Sequence, residues 1–288
     1  MSAAIIDGRE ISKKIKESIK NQIEDIYGRY GLRPGLAAII AGEDPASVSY
    51  VKSIEKQCGG TGVNFYWHKL NTGTSECEIL EKIDKLNNDD TVSGMIVQLP
   101  LPKGTDVKRI GSSIAPDKDV DCFSPINAGK LFLGEDVLLP CTPKGIIRLI
   151  DEMGMETSGK KAVVVGRSNI VGKPVALLLL QKNCTVVICN SKTKDLKSEV
   201  CDADIIVAAT GKPGLITGNM VKDGAVIIDA GVSEVDGKLI GDVVFEEAMQ
   251  KASCITPVPG GVGPMTTAML LENTLEAFKN AHKDIIHI

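Results

Sequence analysis

Residues 162–174, AVVVGRSNIVGKP, decide how this chain is read. Val163 to Val165 have the pattern of a strand buried on both faces, and they run into Gly166, a polar turn, Gly172 and the apolar stretch PVALLLL. A strand, a tight turn and a helix start follow one another. The first N–H groups of a helix lack internal partners and carry the positive end of its dipole, so such a turn suits a phosphate. The spacing departs from the G-x-G-x-x-G fingerprint, because Ser168 stands at the second glycine position and Gly172 comes one place late. Two readings stay open: a dinucleotide site, or two glycines that only permit a tight turn.

The next strand, TVVIC (185–189), sharpens the choice. Dinucleotide folds that grip the ribose hydroxyl of NAD carry an acid about 20 residues on. Here the strand ends in Asn190, Ser191, Lys192 and Thr193, and the first carboxylate is Asp195. Donors in place of an acid, with Arg167 in the turn, favour NADP over NAD; the alternative is a solvated turn at Ser191 and Lys192. Further strands at 204–208 and 225–229 alternate with helices near 173–182 and 194–202, after a helix at 143–153.

The same alternation precedes the turn. Ile11, Ile15, Ile19, Ile23 and Ile26 give the apolar stripe of a helix over 8–30. Strands at 36–41, 63–68 and 92–99 enclose helices at 48–58 and 75–87, the latter with Ser75 as cap and Glu78 three residues on. The fold class is α/β: two domains with parallel sheets, the second Rossmann-like, and a ligand cleft between them. A last helix is expected over 264–282.

Composition narrows the function. The chain has 288 residues, 43% hydrophobic and 24% charged, with a net charge of −4 and therefore no basic surface suited to nucleic acid or an acidic membrane. No apolar run has the length of a membrane span, and MSAAIIDGREISKK does not read as a secretory leader, so a cytoplasmic location is expected. Eight cysteines without a C-x-x-C pair read as reduced thiols, with no metal site.

Five stretches in order, GEDPASVSYV (42–51), GMIVQLPLP (94–102), PDKDVDCFSPINAGKL (116–131), GRSNIVGKP and PVPGGVGPMT (257–266), resemble the methylenetetrahydrofolate dehydrogenase/cyclohydrolase family over essentially the whole chain. The resemblance implies a homodimer and a C-terminal helix returning to the N-terminal domain. The implied division is 1–140 plus 275–288 for folate and 141–274 for NADP. It implies oxidation of 5,10-methylenetetrahydrofolate to the methenyl form, then ring opening by water to 10-formyltetrahydrofolate. By the same resemblance Tyr50 packs on the folate and Asp121 hydrogen-bonds the pterin edge. Gln98, between Val97 and Leu99, lies beside the reacting centre. Pro259, Gly260, Gly261, Val262 and Gly263 form a backbone wall, and Gly166, Arg167, Ser168, Ser191 and Val232 hold the cofactor. Ordinary packing for Tyr50 and a turn or cap for Asp121 are the plainer readings; a polar amide such as Gln98 at a strand end must find partners or lie in a cleft.

One departure bears on the reaction. The family pattern is Tyr-x-x-x-Lys, with the lysine serving the hydrolytic step, whereas this chain reads Tyr50-Val-Lys-Ser-Ile54. Lys52 and Lys56 lie two residues away, about 200° around a helix, and cannot replace it. Ile54 falls in step with Val51 and Cys58 and is expected to pack. Loss of a positioned acid/base group typically costs about 10²- to 10⁴-fold. The expectation is an NADP-dependent dehydrogenase with weak or absent cyclohydrolase activity, and a separate cyclohydrolase elsewhere. The alternatives are a bifunctional enzyme using another group, and a silent folate- and nucleotide-binding protein. Cys122 in place of the family's glycine and Asn190 in place of a common histidine are smaller departures.

Overall fold

The computed structural model describes residues 3–286. Its elements are β1 Ala4–Ile5, α1 Gly8–Tyr30, β2 Gly35–Ala41, α2 Pro45–Thr61, β3 Asn64–Leu70, α3 Glu76–Asn87, β4 Gly94–Gln98, α4 Val107–Ser113, α5 Pro125–Leu133 and α6 Cys141–Glu152. They continue with β5 Lys161–Val165, α7 Gly172–Gln181, β6 Thr185–Cys189, α8 Leu196–Val200, β7 Ile205–Ala208, β8 Val226–Asp229, β9 Ser233–Val235, β10 Lys238–Ile240, α9 Phe245–Ala248, β11 Cys254–Ile255 and α10 Val262–Ala281. Two units emerge: the residues up to Lys13 with Thr142–Thr266, and Lys14–Cys141 with Thr267 onward.

The first unit carries a six-stranded sheet in the order β1-β11-β8-β7-β5-β6, parallel at every pairing. Val163 and Val164 are both fully buried, so both faces of β5 are covered, as three consecutive valines require. Each buried valine contributes about 1.5–3 kcal/mol of transfer free energy. Because β5 lies between β6 and β7, the chain reverses its direction of winding there, and the carboxyl end of β5 is the switch point where α/β sheets bind ligands.

The second unit has a three-stranded parallel sheet, β3-β2-β4, with all seven residues of β2 buried. Ile79 and Ile83 of α3 pack with Ile39 and Met95 against one face. The capping box at α3 is complete: Ser75 accepts from the Glu78 N–H, and the Glu78 carboxylate accepts from the Ser75 N–H at 2.7 Å. From the far half of α10, Asn273 donates to the carbonyls of Val120 and Leu139 at 2.8 and 2.7 Å, which fastens that helix to this unit.

The unit edges differ from the division expected from the resemblance. Ala4 and Ile5 pair in parallel with Cys254 and Ile255, which draws the N-terminus to the six-stranded sheet, and the change of unit in α10 comes at residue 267 rather than 275. Two-residue strands carry no periodicity from which this pairing could be read.

Candidate active site

The turn after β5 is shaped by its two glycines. Gly166 has φ of +134°, and a Cβ there would collide with the carbonyl of Ala209, just beyond β7; a Cβ on Gly172 would collide with the carbonyl of Gly166. Only backbone without side chains fits, so the late second glycine does the work that the standard fingerprint gives to an earlier one. Ser168 is not an idle substitute either. Its Oγ accepts from the N–H groups of Val171 and Gly172 at 3.1 and 3.3 Å, fixing the helix start, and its own proton is left to donate. Arg167 is exposed beside it, as are Ser191 and Val232. At the end of β6, Asn190 closes a tight turn by accepting from Lys192 N–H, and Asp195 caps α8 by accepting from Ser198 N–H. The first carboxylate after β6 is thus engaged in a cap.

In the second unit, Asp44 accepts from the Ser47 N–H and hydroxyl, starting α2, and Ser47 Oγ lies 3.1 Å from the Leu99 carbonyl at the exit of β4. This brings Tyr50 on α2 into the unit that carries Gln98 and Asp121. Tyr50 is 38% exposed, yet burial pushes its hydroxyl above the ordinary range, with Asp121 and Cys141 adding to the shift. Asp121 accepts from Cys141 N–H at 3.3 Å; burial pushes its carboxyl up against that bond, and its exposed face tempers the effect. Gln98 turns its amide onto the adjacent Leu99 carbonyl at 2.9 Å. Val97 is partly buried and Leu99 exposed.

KDVD contains two acids with different work. Asp119, not Asp121, is the turn organiser: it is buried and accepts from the N–H groups of Phe123 and Ser124 and from the Asn127 amide at 2.8, 2.8 and 3.0 Å. That leaves Asp121 exposed, held only by the long bond from Cys141 N–H among those described. Cys122, which follows it, has φ of +53°, the left-handed conformation that explains why a glycine suits this position.

Ile54 is fully buried, as are Val51 and Cys58 on the same stripe of α2, whereas Lys52 and Lys56 are exposed. In PVPGGVGP the glycines divide. Gly260 has φ of +122° and Gly261 lies against Gly8 and Thr256, so the protein itself demands both, and Val262 is buried. A Cβ added at Gly263 would meet open space, so packing within the chain does not require glycine there.

Sequence reasoning missed two buried acids of the first unit, Asp229 and Asp242, although an acid closing the apolar strand VIID was a legible signal. Among the described residues no group of three or more His, Cys, Asp or Glu side chains is placed to hold a metal. No described helix is long and apolar enough to cross a membrane.

Comparison with known proteins fits both units. The tetrahydrofolate dehydrogenase/cyclohydrolase catalytic domain matches residues 6–121, and the NAD(P)-binding domain of the same name matches 140–282. The chain belongs to this family. It is 51% identical over 278 residues to the bifunctional protein FolD of Moorella thermoacetica, spanning 96% of this chain and 99% of that one. The crystal structure of the bifunctional FolD methylenetetrahydrofolate dehydrogenase/cyclohydrolase of Campylobacter jejuni superposes with a TM-score of 0.95 at 45% identity, over 97% of this chain and 99% of that one. The Trypanosoma brucei FolD enzyme, solved with NADP cofactor and an inhibitor, gives 0.93 at 38% identity over 97% and 98%. The first is named as bifunctional and the two solved structures for both reactions, so the expectation of weak cyclohydrolase activity and of a separate cyclohydrolase finds no support among them; the bifunctional alternative fits better.

Proposed function

We propose that this chain oxidises 5,10-methylenetetrahydrofolate to 5,10-methenyltetrahydrofolate with NADP and, as its relatives' names indicate, also promotes opening of the product to 10-formyltetrahydrofolate. The observation that carries the reading is the turn at the switch point after β5, where Gly166 at φ of +134° lies too close to Ala209 to admit a Cβ, followed by a strand end whose first acid is engaged in a cap. Bound NADP supplies the hydride acceptor. Arg167, the Ser168 hydroxyl and Ser191 hold its phosphates, and Val232, past β8 on the side of β5 away from Ser191, is placed for the nicotinamide end. Tyr50 offers a ring face to the folate, Asp121 accepts from a pterin N–H, and Gln98 orients the reacting centre; Gly263 allows close backbone approach. Expelling hydride from a carbon flanked by nitrogen lone pairs needs chiefly positioning and exclusion of water.

A second reading is favoured by one observation, the burial of Ile54 among apolar residues at the position of the family's hydrolytic lysine. In it, the enzyme releases methenyl product. Supplying methylenetetrahydrofolate and NADP and following the methenyl absorbance decides: decay faster than without protein supports the bifunctional reading, and decay at the uncatalysed rate supports the second. Formation of no NADPH at all would overturn both and leave a binding protein.

A homodimer is part of the proposal. Among the described residues β3 pairs with β2 alone, so the free backbone edge of its seven-residue NFYWHKL strand suits a second copy. All eight cysteines are free, which accords with a cytoplasmic location.

A further inference from the structure

Two buried carboxylates tie together the loops next to the nucleotide turn. Asp242 is 1% exposed, and its Oδ2 accepts from the Thr210 N–H at 2.5 Å, the Thr210 hydroxyl at 2.8 Å and the Gly211 N–H at 3.2 Å. Asp229, 3% exposed at the end of β8, accepts from the N–H groups of Gly231, Asp242 and Val243 at 3.0, 3.1 and 2.9 Å. The two acids are interlocked by their neighbours. A Cβ at residue 231 would strike the Asp242 carboxyl, and one at residue 241 would strike Asp229. Ser233 closes the ring by donating to the Gly211 carbonyl at 3.0 Å.

These bonds lie along a path from the cofactor turn. Gly166 abuts Ala209; the next two residues, Thr210 and Gly211, hang on Asp242; Asp242 faces Gly231; and Gly231 carries Val232, which is 54% exposed. The Asp242 Oδ1 has no hydrogen-bond partner although it is buried. Such an oxygen costs stability, on the order of 1–3 kcal/mol for a buried unsatisfied group. A carboxylate kept at that cost, with three donors gathered on its other oxygen, is better suited to fixing loops than to filling a core.

We infer that Asp242 is a positioning residue for the nicotinamide end of the cofactor site: it sets residues 209–211 and, through the close fit at Gly231, the exposed Val232. The inference rests on the proposed NADP-binding function. It separates the two ends of the cofactor: Ser191 follows β6, the strand end that meets the adenosine ribose in this fold, whereas residues 209–211 and Val232 follow β7 and β8 on the other side of β5.

The test uses the full chain and two ligands: NADP, and 2′,5′-ADP, which has the phosphorylated adenosine end but no nicotinamide. Asp242→Ala removes both acceptor oxygens, so the Thr210 and Gly211 donors lose their anchor. The expected result is about tenfold weaker NADP binding, with 2′,5′-ADP binding unchanged within about twofold. In turnover, KM for NADP rises while KM for the folate stays the same. Equal loss of both ligands, or of neither, overturns the inference, since a purely structural residue would affect both ends alike. Should Asp242→Ala fail to fold, Thr210→Val removes one hydroxyl donor and should show the same asymmetry at about threefold. Absence of it there overturns the inference as well. Wild-type protein that binds neither ligand would overturn the NADP reading, and the inference with it; wild-type binding of both with a symmetric mutant effect overturns the inference alone.

Discussion

The turn at 166–172 and the helix at 45–61 both depart from a familiar pattern, and they do so in opposite ways. In the turn, the missing glycine is replaced by Ser168, whose hydroxyl ties down the N–H groups of Val171 and Gly172. In the helix, where the resemblance implies a lysine, Ile54 joins Val51 and Cys58 in a fully buried stripe. The first exchange keeps a polar group where a phosphate would be met. The second keeps only packing. A departure from a motif therefore has to be judged by what the new side chain does locally: a hydroxyl can still exchange a proton or a hydrogen bond, and an aliphatic chain cannot.

The largest effect that tests this contrast belongs to the turn. Gly166→Ala introduces a Cβ against the Ala209 carbonyl at φ of +134°, so NADP-dependent kcat/KM should fall by at least about 100-fold, equivalent to about 2.7 kcal/mol. An effect below fivefold would mean that the cradle is not where the cofactor sits. Next comes the acid floor beside the turn. Burial pushes Asp229 from 3.8 up to about 6, with Asp242 adding and three backbone N–H groups opposing. Folded protein then binds more protons than unfolded chain between these values, so this group's contribution falls as pH rises from 4 to 6. Integrated between pH 4 and 6, it amounts to about 2 kcal/mol. Denaturation of wild type and Asp229→Asn at both pH values should show that difference in slope; parallel pH dependences would contradict it.

On the helix side, Ile54→Lys places a charge in a fully buried stripe and should cost about 2 kcal/mol of stability, read from denaturant midpoints. If position 54 limits hydrolysis, the same variant decomposes methenyl product faster than wild type; no gain would show that the helix departure is not what sets the second step. The smallest effect is Cys122→Gly. Relieving a non-glycine residue at φ of +53° should stabilise the protein by about 1 kcal/mol, and a loss of stability would show that the thiol's packing outweighs the backbone strain.

Much of this was legible before the structure. The 8–30 helix was read from its isoleucine spacing at its observed limits, and the Ser75–Glu78 capping box from two residues. The β5 turn was read from three valines and two glycines because local rules dictate its form. What escaped had no local signature. The β1–β11 pairing joins residues 250 apart in sequence through two-residue strands. The division of labour between Asp119 and Asp121 depends on which carboxylate the backbone of residues 123 and 124 can reach. The Asp229–Asp242 arrangement needs three loops to meet, and only the acid at the end of VIID hinted at it. Ile54 could be read as core from its stripe alone, but what that means for hydrolysis could not.

The most direct measurement is the initial rate of NADP reduction by 5,10-methylenetetrahydrofolate, with NAD run in parallel. The account predicts saturable NADPH formation, with a higher kcat/KM for NADP than for NAD because the end of β6 offers Ser191 and Lys192 and engages its first acid, Asp195, in a helix cap. Folded protein that binds NADP yet reduces neither cofactor would contradict it.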